Sequence, residues 1–202
     1  MNTVKSRPEG TRRLFFNGLC WISSCFLLAG ILASSYAGYV LVDGQVFQAM
    51  ALRKFAHRAP LAEPHLQTPG EIVGQLEIPS VELRVVVIHG DSPEVLRRGA
   101  GHLPDSPLPG EWGNVAVAGH RDTFFRPLRQ IRIGDVITLE TNSGLYRYRV
   151  ESTGVVPPGN VEVLRSSNRR ELTLITCFPF DYIGPAPDRF IVRAVEVEAS
   201  PE

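Results

Sequence analysis

Residues 14–42 carry no charged side chain, and beyond residue 70 the chain changes to short apolar runs broken by turn residues. A helix needs about 20 apolar residues to cross a hydrocarbon core, so residues 14–42 read as one membrane-spanning helix. Lys5, Arg7, Arg12 and Arg13 stand before it, and basic flanks favour the cytoplasmic side. The expectation is a single-pass protein of the cytoplasmic membrane, with residues 1–13 inside and the C-terminal domain outside. Arg53, Lys54 and Arg58 beyond the span weaken the charge asymmetry. A cleaved signal peptide is the rival reading, because Ser35, Tyr36 and Ala37 offer a small-residue cleavage site. The apolar run exceeds the roughly 7–15 residues of a signal core and continues through residues 38–42, which favours an uncleaved anchor. Residues 43–70 then form a helical extension, with Val46, Phe47, Met50 and Phe55 among polar neighbours, and a linker containing Pro60, Pro64 and Pro69. Proline without apolar periodicity makes a semi-rigid spacer.

Residues 71–198 form the remaining domain. Its apolar runs are IVGQLEI, ELRVVVI, NVAVAG, DVITLET, LYRYRVEST, ELTLITC and RFIVRAVEV. Runs of this length, rich in β-branched and aromatic residues and separated by Gly, Pro, Asn and Ser, predict strands of an antiparallel barrel or sandwich. Helical periodicity is scarce. Ser92-Pro93-Glu94 predicts one short capped helix, since Ser accepts an orphan N–H and Pro suits the first turn. Asn142-Ser143-Gly144 predicts a tight hairpin between two strands. The fold class is therefore all-β, preceded by one transmembrane helix.

Composition narrows the function classes. A chain of 202 residues holds one ordinary domain plus an appendage. Its 21 Lys and Arg balance 21 Asp and Glu, so no net field recruits nucleic acid. Five His and three Cys match no zinc spacing, because Cys20 and Cys25 lie in the apolar span and no CxxC exists. No glycine loop suited to phosphate is present, and no acidic cluster supports a calcium site. No cofactor or metal is expected.

One thiol stands apart from this background. In LTLITCFPF, Cys177 closes an apolar alternating run and is followed by a loop rich in Pro and Gly. A strand end holds a side chain rigidly beside a loop. His120 follows the apolar run in NVAVAGH, and Arg189 opens RFIVRAVEV, so cysteine, histidine and arginine each fall at a strand terminus. Each also has a plain structural reading: a free cysteine is often a small buried hydrophobe, and a single histidine is often a surface group. A lone thiol outside the cytoplasm, where structural cysteines normally pair, nevertheless suits a nucleophile. His89, closing VVVIH, rivals His120, and His102 in GAGHLP is a candidate loop brace. Arg193 lies four residues after Arg189, on the same strand face. Asp122 could orient a neighbouring arginine or His120.

The order of His120 in AGHRDTFF, Cys177 in TLITC and Arg189 in DRFIV resembles the sortases, the cysteine transpeptidases of bacterial cell surfaces. GAGHLPDSPLPGEWG and TLITCFPFDYIGPAPDRFIVRA are similar to the class D members in particular. The resemblance covers residues 71–198. It implies an eight-stranded sortase barrel with Cys177, His120 and Arg189 as catalytic residues. Thr176, Phe178 and Leu103 would contact substrate, since loops at residues 178–187 and 103–109 would flank the cleft. It further implies cleavage of an LPxTG-like sorting signal after Thr, through a thioester, and transfer to an amine. The partners implied are a surface protein bearing that signal and an amine acceptor, either a peptidoglycan precursor or a pilin Lys.

The chemistry fits these residue types. Amide cleavage needs a thiolate, a proton donor for the leaving amine and a donor-rich site for the oxyanion. The same residues would also serve a thiol peptidase that releases its product to water, and a non-catalytic peptide-binding barrel is the third alternative. The L,D-transpeptidases place His and Gly directly before their cysteine, whereas Ile175 and Thr176 stand here.

Overall fold

A computed structural model describes residues 9–55 and 68–197 of the chain. Most of the expected linker, residues 56–67, lies outside the described residues. Two units are distinguished, Met1–Asp43 and Gly44–Glu202. The first helix, α1, spans Glu9–Phe55. Within it, Ser24–Met50 is long and apolar enough to cross a membrane. The helix includes the charge-free residues 14–42 and runs on past Asp43 to Phe55.

The second unit is a closed barrel of eight strands in the order β1-β2-β3-β4-β7-β8-β6-β5. The strands are β1 Ile72–Ile78, β2 Leu83–His89, β3 Ala100–His102, β4 Gly113–Ala118, β5 Val136–Thr141, β6 Gly144–Val156, β7 Arg170–Phe178 and β8 Asp188–Glu196. Seven match the apolar runs of the sequence. The eighth, β3, has three residues and leaves no periodic signature. Most neighbours pair antiparallel, but β2 with β3 and β4 with β7 run parallel. The short helix α2 occupies Pro93–Arg98, and Ser92 Oγ caps it by accepting from Val95 N at 3.3 Å. Asn142 and Ser143 turn the β5–β6 hairpin, whose ladder closes at Thr141 and Gly144.

Alternation decides which side chains fill the barrel. Leu76, Val85, Val87, Val115, Val117, Ile137, Leu139, Tyr148, Leu172, Leu174 and Val192 point into one core. In β2 the intervening Val86 and Ile88 are buried too, because Val95 of α2 and Phe47 of α1 cover the outer face. This explains why VVVI is continuously apolar where a one-sided strand would alternate. Gln48 fixes that cover: its Oε1 accepts from Val86 N at 2.9 Å and its Nε2 donates to the Arg98 carbonyl. The end of α1 from Gly44 onward thus belongs to the barrel unit.

The outer face of β4 and β7 is covered by residues 157–169. Thr173 donates to Asn114 Oδ1 at 2.7 Å, and Asn114 Nδ2 donates to the Val163 carbonyl at 3.0 Å. Toward the other end of β7 this cover ceases, and a cleft opens on the same face.

Candidate active site

Cys177 is the penultimate residue of β7, and its register partner across the antiparallel ladder is Arg189. Directly opposed residues send their side chains to the same face, with Cβ atoms about 4.5–5.5 Å apart. Leu172 and Leu174 point into the core, so odd-numbered positions of β7, including Cys177, face outward. Closure of one hairpin therefore sets thiol and guanidinium side by side.

His120 arrives from β4. After Ala118 the chain leaves the strand, and Gly119 N donates to the Ile175 carbonyl at 3.0 Å. Thr176 Oγ1 donates to the Gly119 carbonyl at 2.7 Å. A Cβ at Gly119 would stand 2.7 Å from the buried Phe125 ring, so glycine is required for this approach. Phe125 N in turn donates to the His120 carbonyl at 3.0 Å, closing a turn that presents the imidazole. His120, Arg121, Asp122, Cys177, Gly184, Pro185, Ala186 and Arg189 together line a cleft of about 330 Å³.

The structure thus gathers the expected trio and also Asp122, whose Oδ1 meets Arg121 Nε at 3.3 Å. Three expected contact residues are placed differently. Thr176 is 2% exposed, and its hydroxyl supports the His120 segment instead of facing a peptide. Phe178 packs inward against the core, edge-on to Phe180 and stacked with Phe190. Leu103 begins the β3–β4 connection, with its N donating to the Ala116 carbonyl at 2.9 Å. None of these three is among the residues lining the cleft around Cys177. The physical reason for Thr176 and Phe178 is the alternation of β7: neighbours of an outward cysteine point inward.

The rival candidates separate in space. His89 and His102 face one another, Nδ1 to Nδ1 at 3.1 Å, and His102 Nε2 lies 2.9 Å from the Pro107 carbonyl. A carbonyl only accepts, so His102 donates through Nε2 and, when neutral, accepts at Nδ1 from His89. Burial pushes the His102 pKa below its ordinary value, while the Pro107 hydrogen bond opposes that shift. Arg193 shares the face of Arg189, as its spacing implied, but donates to the Val163 carbonyl at 3.1 Å. There it borders a separate cavity of about 490 Å³ with Glu162, Glu171 and Ser167.

Sequence reasoning passed over Arg121. Its side chain is 6% exposed, and it donates to the carbonyls of Pro179 (2.8 Å), Tyr182 (2.6 Å) and Gly184 (3.2 Å). Arg189 Nη1 donates to Ala186 and Asp188 at 3.3 and 2.9 Å. Two arginines thus hold the two limbs of the β7–β8 loop. No sequence pattern shows that an arginine beside a candidate histidine is buried.

The family model described as Sortase domain matches residues 76–197. The chain belongs to the sortase family. Among relatives of this sortase, Sortase D of Bacillus subtilis (strain 168) is 29% identical over 188 residues, covering 85% of this chain and 95% of that protein. Sortase A of Bacillus anthracis is 28% identical over 174 residues, covering 75% and 82%. A solved Sortase D5 transpeptidase from Clostridium perfringens superposes with a TM-score of 0.65 at 24% identity, covering 77% of this chain and 99% of that one. The SrtA sortase of Actinomyces oris gives 0.59 at 28% identity, covering 71% and 94%. The barrel of this sortase is thus the family fold, and family membership implies a cysteine transpeptidase.

Proposed function

We propose that this sortase cleaves an LPxTG-like sorting signal after Thr and transfers the acyl group to an amine of the cell wall or a pilin. The observation that carries the reading is the single cleft lined by Cys177, His120 and Arg189. The Cys177 thiolate attacks the threonine carbonyl carbon, and the C–N π-conjugation of the amide is lost as the oxyanion forms. Arg189, permanently charged, stabilises that oxygen through donors other than the Nη1 engaged with its own loop. His120 gives its proton to the departing amine, the C–N bond breaks, and a thioester to Cys177 remains. An incoming amine then attacks the thioester, His120 takes its proton, and the C–S bond breaks to regenerate the thiolate.

Residues 14–42 anchor the enzyme as a single pass with the N-terminus inside and residues 71–198 outside. The apolar helix and the basic residues before it support this placement. Substrate and acceptor are both surface molecules, so an anchored barrel meets them where they are exposed.

The test is mass spectrometry of the full chain in detergent with a pool of L-P-x-T-x peptides and a strong amine nucleophile, beside Cys177→Ala. Cleavage after Thr with an amine adduct, absent in the variant, is the expected result. Cleavage with water as the only acceptor would convert the reading to a thiol peptidase. Intact peptides and no trapped thioester from a folded protein would overturn it.

A further inference from the structure

The segment between β7 and β8, residues 179–187, forms one wall of the cleft through Gly184, Pro185 and Ala186, yet little of its backbone is paired with backbone. Tyr182 N to the Pro179 carbonyl, at 3.4 Å, is a long internal bond. Side chains do the holding instead. Arg129 pairs with Asp181 at 2.6 Å on the surface, and exposed pairs of this kind contribute little. Arg189 grips the outgoing limb at Ala186 and Asp188. The incoming limb and the tip converge on Arg121, whose Nη1 and Nη2 reach the carbonyls of residues 179, 182 and 184. Tyr182 also lays its ring 5.9 Å from the guanidinium carbon.

We propose that Arg121 is a positioning residue for the thiol chemistry: it clamps the β7–β8 loop so that residues 184–186 stay opposite Cys177. This rests on the transpeptidase reading of the cleft. With Nε on Asp122 and both terminal nitrogens on carbonyls, the guanidinium is committed to the loop and acts through the wall it holds. Charge-assisted donation from a planar fork to several carbonyls is a task an ammonium cannot match. Arg121 also follows His120 directly, so one short segment presents the imidazole and ties down the opposite wall. A misplacement of about 1 Å at a reacting centre can lower a rate by about 10²-fold, which is the sensitivity the clamp guards against.

The test compares wild type with Arg121→Gln in the full chain in detergent, by backbone 15N relaxation, thiol alkylation and peptide turnover. In the variant, the backbone order parameters of residues 181–184 and 186 should fall below about 0.6 while those of β4, β7 and β8 stay near about 0.85. Alkylation of Cys177 by a small reagent, which needs no wall, should stay within about twofold. With a peptide that wild type processes, kcat should fall at least about tenfold and KM should change less than about threefold. Arg121→Ala should recover several-fold when free guanidinium is added far below denaturing concentration, and Arg121→Lys should resemble Arg121→Gln. Should Arg121→Gln fail to fold, Arg121→Lys carries the same comparison.

Unchanged loop order parameters overturn the clamp, and a loosened loop with unchanged kcat overturns the positioning role. A loss confined to KM, or slowed alkylation in parallel with turnover, assigns the residue to binding or to general integrity and equally overturns it. A wild type that turns over no peptide ends the transpeptidase reading, a failure visible without any variant. The loop order parameters still decide then whether Arg121 holds the loop.

Discussion

At the scale of single residues, the cleft separates groups that would act on a peptide from groups that hold those groups in place. Arg189 stands opposite Cys177 in the ladder, where a fork of donors can meet an oxyanion. Replacing it by lysine keeps the charge and loses the fork, so kcat/KM should fall by about 10²–10³, the usual cost of one oxyanion donor. Steady-state turnover with a processed peptide reads this, and a loss below about fivefold would remove Arg189 from that role. His102 is a support of a different kind, buried at 1% exposure, its pKa pushed below the ordinary value by burial. The unfolded chain binds the proton more readily, so the contribution of His102 to stability is complete above about pH 6.5. It is lost as pH falls through the folded-state value. His89 on β2 and Glu111 on the β3–β4 connection face it with opposing effects. Unfolding midpoints of His102→Gln should therefore decline less than those of wild type between about pH 7 and pH 5; parallel declines would refute this.

At the scale of elements, β7 shows how alternation assigns tasks. Cys177 turns outward into the cleft while Thr176 turns inward and donates to the Gly119 carbonyl, so one strand end presents the thiol and braces the histidine segment. Gly119 completes that brace because Phe125, 0% exposed, leaves no room for a methyl group. Gly119→Ala should destabilise the fold by about 1–3 kcal/mol and lower turnover more than it lowers Cys177 alkylation, since His120 moves and the thiol does not. Urea unfolding together with the two rates checks both statements. The same alternation places Thr176 and Phe178, which the family resemblance assigned to substrate contact, on the face opposite the thiol, because neighbours in a strand point to opposite faces.

At the scale of the whole molecule, the barrel unit begins inside the first helix. Phe47 and Gln48 complete the outer face of β2 over Val86, Ile88 and Val95. A chain lacking residues 1–59 exposes that face and leaves Val86 N without its side-chain acceptor. It should unfold at lower urea concentration than a chain lacking residues 1–43, by about 2 kcal/mol or more. Equal midpoints would mean that the helix end adds nothing to the domain. The expected boundary at residue 71 came from the proline-rich composition of residues 59–70, which describes a linker well and is silent on whether the preceding helix docks.

Much of this architecture is written locally. The charge-free stretch, seven of the eight strands, the capped α2 and the Asn-Ser-Gly hairpin all follow from short-range preferences, because burial on one face and φ/ψ demands in turns act on neighbouring residues. The cysteine, histidine and arginine at strand ends were legible as candidates for the same reason. Tertiary structure alone decided three things. It made β3 a strand, since three residues pair only when β2 and β4 are already in place. It set Arg189 and His120 on the cleft beside Cys177 and took Arg193 to the Val163 carbonyl and His89 to His102, since residues equivalent in spacing differ only in what the barrel brings against them. It also buried Arg121 beneath three carbonyls from some sixty residues further along the chain, a contact between distant segments that no local pattern encodes.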